Sequence, residues 1–172
     1  NAHLFTAASS ARIDGLTITG ADAGGGILAS GYARFLQVSN NRVVGNYGTY
    51  GGGIRIGHTD LLDPANALYG GYTDSDNDSV AILSNWISQN GSTEAGAGGG
   101  ITLGNGSTGY AVTGNYLCGN FSMADGGGIG HHQPADLPVL YERSVGARFD
   151  AASEGAAQLL HRYLRRELQL DV

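Results

Sequence analysis

The densest group of side chains able to do chemistry is Asp74-Ser75-Asp76-Asn77-Asp78, with carboxylates at alternate positions. Carboxylates spaced this way can converge on Ca²⁺, a hard cation that takes about six to eight oxygen ligands. The spelling is not that of an EF-hand, because Ser79 stands where the turn glycine belongs and Asn85 where the bidentate glutamate belongs. The expectation is a solvated acidic loop with Asp74, Asp76 and Asp78 as candidate ligands for weakly held calcium. A second group, Arg55, His58 and Asp60, follows a glycine triplet and offers a cation, an imidazole and a carboxylate as a candidate ligand face. His131 and His132 are adjacent but bring no third ligand, so no metal site is expected there. No residue is assigned a catalytic role.

These groups have to be positioned by the elements around them, and the chain is organised by repetition. The phrase Gly-Gly-Gly-Ile occurs at Gly24–Ile27, Gly51–Ile54, Gly98–Ile101 and Gly126–Ile129. The steps between copies are 27, 47 and 28 residues, so the middle step is one repeat plus an insertion of about 20. Upstream of the last three triplets runs a second pattern: Leu36-x-Val38-x-x-Asn41-x-Val43-x-x-Asn46, then Val80-x-Ile82-x-x-Asn85-x-Ile87-x-x-Asn90, then Tyr110-x-Val112-x-x-Asn115-x-Leu117-x-x-Asn120. A first copy, Ala11-x-Ile13-x-x-Leu16-x-Ile18, keeps the apolar beats and lacks both asparagines. Apolar alternation over short runs predicts strands, and the Asn and Gly between them turn corners at little steric cost. The prediction is an all-β stack of about four coils over residues 1–131, in which the insertion 58–78 leaves the scaffold as a loop.

Stacked coils bring equivalent side chains within about 4.8 Å of one another, so an inward Asn can bond its counterparts above and below. Asn41, Asn85 and Asn115 are expected to form one ladder, and Asn46, Asn90 and Asn120 a second. Ile27, Ile54, Ile101 and Ile129 are expected to form an aliphatic stack. Leu28, Arg55, Thr102 and Gly130 make the adjoining outward column, where Arg55 reads as a solvated edge charge. Cys118 is expected to be a buried, inert strand filler.

The glycine triplets and the Asn-x-Val/Ile/Leu-x-x-Asn beats, over about residues 11–130, resemble the right-handed parallel β-helix of the pectate-lyase-like superfamily. That resemblance implies a bacterial protein that is secreted or held at the cell surface. Enzymes of that superfamily place a calcium cluster of acids and a basic residue on one outer face. There a base removes a proton beside a uronate carboxylate while calcium and arginine stabilise the anion. The outward column carrying Arg55 has no carboxylate, which departs from that pattern.

Residues 132–172 change character. Glycine becomes scarce, Pro134 and Pro138 arrive, and Ala156, Leu159, Leu160, Tyr163, Leu164 and Leu168 recur at helical spacing. The expectation is a linker followed by a C-terminal amphipathic α-helix over 152–168, serving as a cap on the last coil or as a non-native tail. The 172-residue chain has a net charge of −6, with nine arginines and no lysine. That balance argues against a nucleic-acid partner. No run is long and apolar enough to span a membrane.

Three functional classes follow. The leading one is a non-catalytic structural or surface-binding segment of a longer secreted β-helix protein, with a polysaccharide or cell-surface component as its partner. The next is part of a polysaccharide lyase or hydrolase whose catalytic coils lie largely outside this chain. The third is a calcium-dependent binding module.

Overall fold

The short apolar alternations form strands of two or three residues, each ended by a corner that the Asn and Gly positions supply. The computed structural model describes residues 5–57, 75–93, 98–104, 106–123, 126–131 and 148–149. The first coil carries β1 (Arg12–Asp14), β2 (Thr17–Thr19) and β3 (Ile27–Ala29). The second carries β4 (Gln37–Ser39), β5 (Arg42–Val44), β6 (Tyr47–Gly48) and β7 (Ile54–Ile56). The third repeats this with β8 (Ala81–Leu83), β9 (Trp86–Ser88), β10 (Gly91–Ser92) and β11 (Ile101–Leu103). The fourth holds β12 (Ala111–Thr113), β13 (Tyr116–Cys118), β14 (Phe121–Ser122) and β15 (Ile129–His131), and β16 (Arg148–Phe149) follows.

Strands of one coil do not pair with each other. Each pairs in parallel with its counterparts one coil away, giving the sheets β1-β4-β8-β12, β2-β5-β9-β13-β16, β6-β10-β14 and β3-β7-β11-β15. This all-parallel arrangement is compatible with a β-helix. Alternation then sends every second side chain inward. Ile13, Val38, Ile82 and Val112 share one register position, and Ile27, Ile54, Ile101 and Ile129 share another, as the sequence predicts. Ile54, Ile82, Ile87 and Ile101 are completely buried. Each contributes about 1.5–3 kcal/mol from leaving water.

Two corners of the coil are held by the asparagine ladders. The residue before each ladder Asn takes a left-handed backbone: Asn40, Ser84 and Gly114 at the first corner, Gly45, Gln89 and Gly119 at the second. The Asn41 side-chain amide donates to Asn85 Oδ1 at 3.0 Å, and that of Asn85 donates to Asn115 Oδ1 at 2.9 Å. Asn46, Asn90 and Asn120 repeat the chain of bonds at 3.0 and 2.9 Å. Backbone groups are satisfied as well, since Asn41 N donates to Asn85 Oδ1 and Asn85 Nδ2 donates to Val38 O. In the first coil Leu16 and Ala21 occupy the ladder positions, and their N–H groups donate to Asn41 Oδ1 and Asn46 Oδ1.

The glycine triplets are required by close approach. A Cβ on Gly52 would run into the Gly91 backbone, and one on Gly53 into the carbonyl of Gly100. The triplets themselves stack, with Gly26 N donating to Gly52 O at 2.9 Å and Gly53 N to Gly99 O at 3.0 Å.

One reading of the sequence is extended here. The stack does not stop at the fourth coil, because β16 pairs with β13 in parallel register, Tyr116 with Arg148 and Leu117 with Phe149. Loss of the glycine and asparagine marks hides this rung, since backbone pairing does not need them. No helix occurs among the described residues, and the α-helix expected over 152–168 lies outside them.

Candidate functional site

The acidic stretch is built into the scaffold from Ser75 onward. Tyr32 N donates to Ser75 O at 2.8 Å, Phe35 N to Asp78 O at 2.9 Å and Asn77 N to Gly106 O at 2.9 Å, so this segment stacks between its neighbours above and below. Asn77 is fully buried. Its Oδ1 accepts from Ala33 N at 3.0 Å and its amide donates to Ser75 Oγ at 2.8 Å, making a third asparagine corner. Asp78 lies between Arg34 of the second coil and Thr108 of the fourth. Arg34 Nη2 donates to Asp78 Oδ2 at 3.0 Å, and the Thr108 hydroxyl donates to Asp78 Oδ1. Asp76 occupies a left-handed corner between Tyr32 and Gly106, which share that conformation. Asp74 lies outside the described residues. Of the three candidate calcium ligands, one carboxylate is thus committed to rung-to-rung contacts.

Arg55 stands in register with Leu28, Thr102 and Gly130, as expected. It is not a solvated edge charge: it is 8% exposed. Its Nε donates to Gly57 O at 3.3 Å, and its guanidinium lies 5.1 Å from the centroid of the Tyr50 ring. Gly51 packs close to both Arg55 and Thr102: a Cβ there would run into the Thr102 side chain and press on Arg55 Cβ. Thr102 is 1% exposed, and its hydroxyl donates to Gly98 O at 2.8 Å. A cation held by a ring face and a carbonyl contributes to packing before it contributes to ligand capture. His58 and Asp60 lie outside the described residues. Among the described residues, no three His, Cys, Asp or Glu side chains gather as a metal site.

Two surface features escape a reading of residue types alone. On the outer side of the β2-β5-β9-β13-β16 sheet, Thr17, Arg42, Trp86 and Tyr116 fall in one register column. The Trp86 and Tyr116 rings stack with centroids 4.1 Å apart at 33°. On the next sheet the Tyr47 and Phe121 rings reach toward each other across Gly91, 5.9 Å apart. Near the first coil's edge, Asp14 Oδ1 accepts from Ser39 Oγ at 2.6 Å and Asn40 Nδ2 at 2.8 Å. Those hydrogen bonds, Ser39 first, hold the Asp14 carboxyl below its ordinary pKa, with a smaller push from Arg12. Cys118 shares the outer side with Val44 and Ser88 and is partly exposed, because Leu117 takes the inward place. The expected buried cysteine is corrected by one step of strand alternation.

No protein-family model matches the chain, and neither a curated protein nor a solved structure does.

Proposed function

We propose that this chain is a stretch of right-handed parallel β-helix, similar to the pectate-lyase-like superfamily, that acts as a rigid non-catalytic rod. It belongs to a longer bacterial protein that is secreted or exposed at the cell surface, and its outer columns bind a polysaccharide or another surface component. The right hand follows from the strong preference of parallel crossovers for it. One observation carries the functional reading: the buried asparagines are committed to the stack. Asn41, Asn46, Asn77, Asn85, Asn90 and Asn115 bond the coil above or below, and the partly buried Asp78 does the same. A catalytic group needs a site where substrate, not a neighbouring rung, meets it.

The test uses the full chain with polygalacturonate, alginate and a neutral glucan, each with and without Ca²⁺. Retention in an affinity gel without new reducing ends or unsaturated uronates is the expected result. Release of either product overturns the non-catalytic reading. Retention that needs Ca²⁺ and disappears in Asp76→Ala favours the calcium-dependent module instead.

A further inference from the structure

We propose that Asn90–Gly91 is a shielded deamidation site, at which folding alone keeps a ladder asparagine from converting to aspartate or isoaspartate. The ladder asparagines are followed by Arg42, Tyr47, Trp86, Gly91, Tyr116 and Phe121, so Asn90 alone precedes a glycine. Packing sets that exception. A Cβ on Gly91 would run into the Phe121 ring, which lies across this strand toward Tyr47 with the ring centroids 5.9 Å apart. The fold therefore requires glycine at the ladder position where it is a chemical liability. Lacking a Cβ, glycine leaves its nitrogen free to approach the preceding side chain without hindrance.

The reaction is an intramolecular acyl transfer. A buffer base takes the proton of Gly91 N, which attacks Asn90 Cγ. The Cγ–Nδ2 bond breaks, ammonia leaves after regaining a proton, and a cyclic imide remains. Water then opens one of the imide carbonyls, giving aspartate, or isoaspartate with the main chain routed through the side-chain carbon. In the folded chain every group this needs is engaged. Gly91 N donates to Asn46 O at 2.9 Å. Asn90 Oδ1 accepts from Asn46 N at 3.1 Å and from Asn46 Nδ2 at 3.0 Å, and Asn90 Nδ2 donates to Val43 O at 3.0 Å and Asn120 Oδ1 at 2.9 Å. The residue is fully buried, so neither base nor water reaches it. The products do not fit the rung. Aspartate sets an oxygen against the acceptors Val43 O and Asn120 Oδ1 and buries a charge without a counterion. Isoaspartate lengthens the main chain by one carbon and moves Gly91 and Ser92 out of register with Tyr47 and Gly48. A chain that reacts while unfolded is thus barred from the stack, which makes unfolding one-way with time.

The full chain is incubated in mildly alkaline buffer, folded or unfolded in guanidinium chloride, and fragmentation mass spectrometry locates each converted asparagine. Conversion at Asn90 should be at least about a hundredfold slower in the folded chain, because native proteins are unfolded at about one part in a thousand or less. In the unfolded chain Asn90 should convert much faster than Asn85, which precedes Trp86. After removal of denaturant, the fraction that refolds should fall in proportion to conversion at Asn90. Asn105→Gln removes the other Asn-Gly pair and should leave that proportion unchanged. Asn90→Asp should not regain the native circular dichroism under conditions in which the wild-type chain does. Similar conversion at Asn90 in folded and unfolded chains overturns the proposal, as does an unfolded chain in which Asn90 is no faster than Asn85. A refolded fraction that stays constant while Asn90 converts, or that follows Asn105 instead, also overturns it. If Asn90→Asp is recovered only as aggregate, the wild-type refolding yield against conversion still decides the matter.

Discussion

The two sides of the β5-β9-β13 sheet share one backbone and one register, yet they follow different rules. Inward, Val43, Ile87 and Leu117 keep a single chemical type through three rungs, all within 3% exposure. Outward, Arg42, Trp86 and Tyr116 change type at every rung. The corners obey the inward rule, with asparagine on asparagine. Stacking demands repetition because each rung must fit the rung below it. Where stacking makes no demand, residue types are free to serve something else. The difference between sides is therefore a map: repeated columns hold the fold, and varied exposed columns are where binding is to be sought.

The largest expected effect comes from breaking a repeated column at its centre. Asn85→Ala removes the acceptor for Asn41 N and Asn41 Nδ2 and the donors to Val38 O and Asn115 Oδ1. With about 1–3 kcal/mol for each buried group left unsatisfied, a loss of about 3 kcal/mol or more should appear in urea unfolding. Gly52→Ala forces a methyl into the Gly91 backbone and should cost about 1–3 kcal/mol by overpacking. A loss below that range would show that the triplet can spread. Gln89→Gly should act in the other direction. Its column mates Gly45 and Gly119 are also left-handed, and relief of the strain should raise stability by up to about 1 kcal/mol. On the outer side Trp86→Ala should change stability by less than about 1 kcal/mol, the scale of one cross-strand pair. A larger loss would erase the contrast between the two sides.

Acid gives the smallest and most local effect. The Asp14 carboxyl has a folded pKa below its unfolded value. Its contribution is therefore present above the unfolded pKa near 3.8 and is lost as pH falls through the folded one. Asp14 is exposed at the edge of the stack, so Asp14→Asn should flatten only slightly the acid limb of a stability-against-pH curve.

Repetition is also what made the fold legible. Both ladders and the isoleucine stack could be read from spacing because the same residue type recurs in each coil. Asn77 does the same work as Asn85, but its column mates, by the same coil spacing, are Ala33 and Ser107, so no repeat marks it. Its position inside an acidic run draws the eye to calcium, and the use of Asp78 by Arg34 and Thr108 is invisible without the register. The column of Arg55 was legible, but its burial was not. Cover depends on where the glycine backbone and Tyr50 return in space, which residue types along one strand do not record. The outer column of Arg42, Trp86 and Tyr116 went unread for a complementary reason: its members share register and the outer side, not one residue type.

The asparagine ladders also give the stack an electrical direction. In each ladder the amide oxygen faces the preceding coil and the amide nitrogen reaches the oxygen of the next, so the side-chain dipoles point the same way. Backbone bonds between parallel strands run both up and down the stack, and sheets accordingly carry little net dipole. Two rows of aligned amides are superimposed on that nearly neutral scaffold, and each bond polarises its successor. The rows begin where Leu16 and Ala21 replace asparagine. A coil turned over within the stack would therefore set amide nitrogen against nitrogen on one side and oxygen against oxygen on the other, at both corners. The solenoid is a one-way structure, with arrows written in side chains.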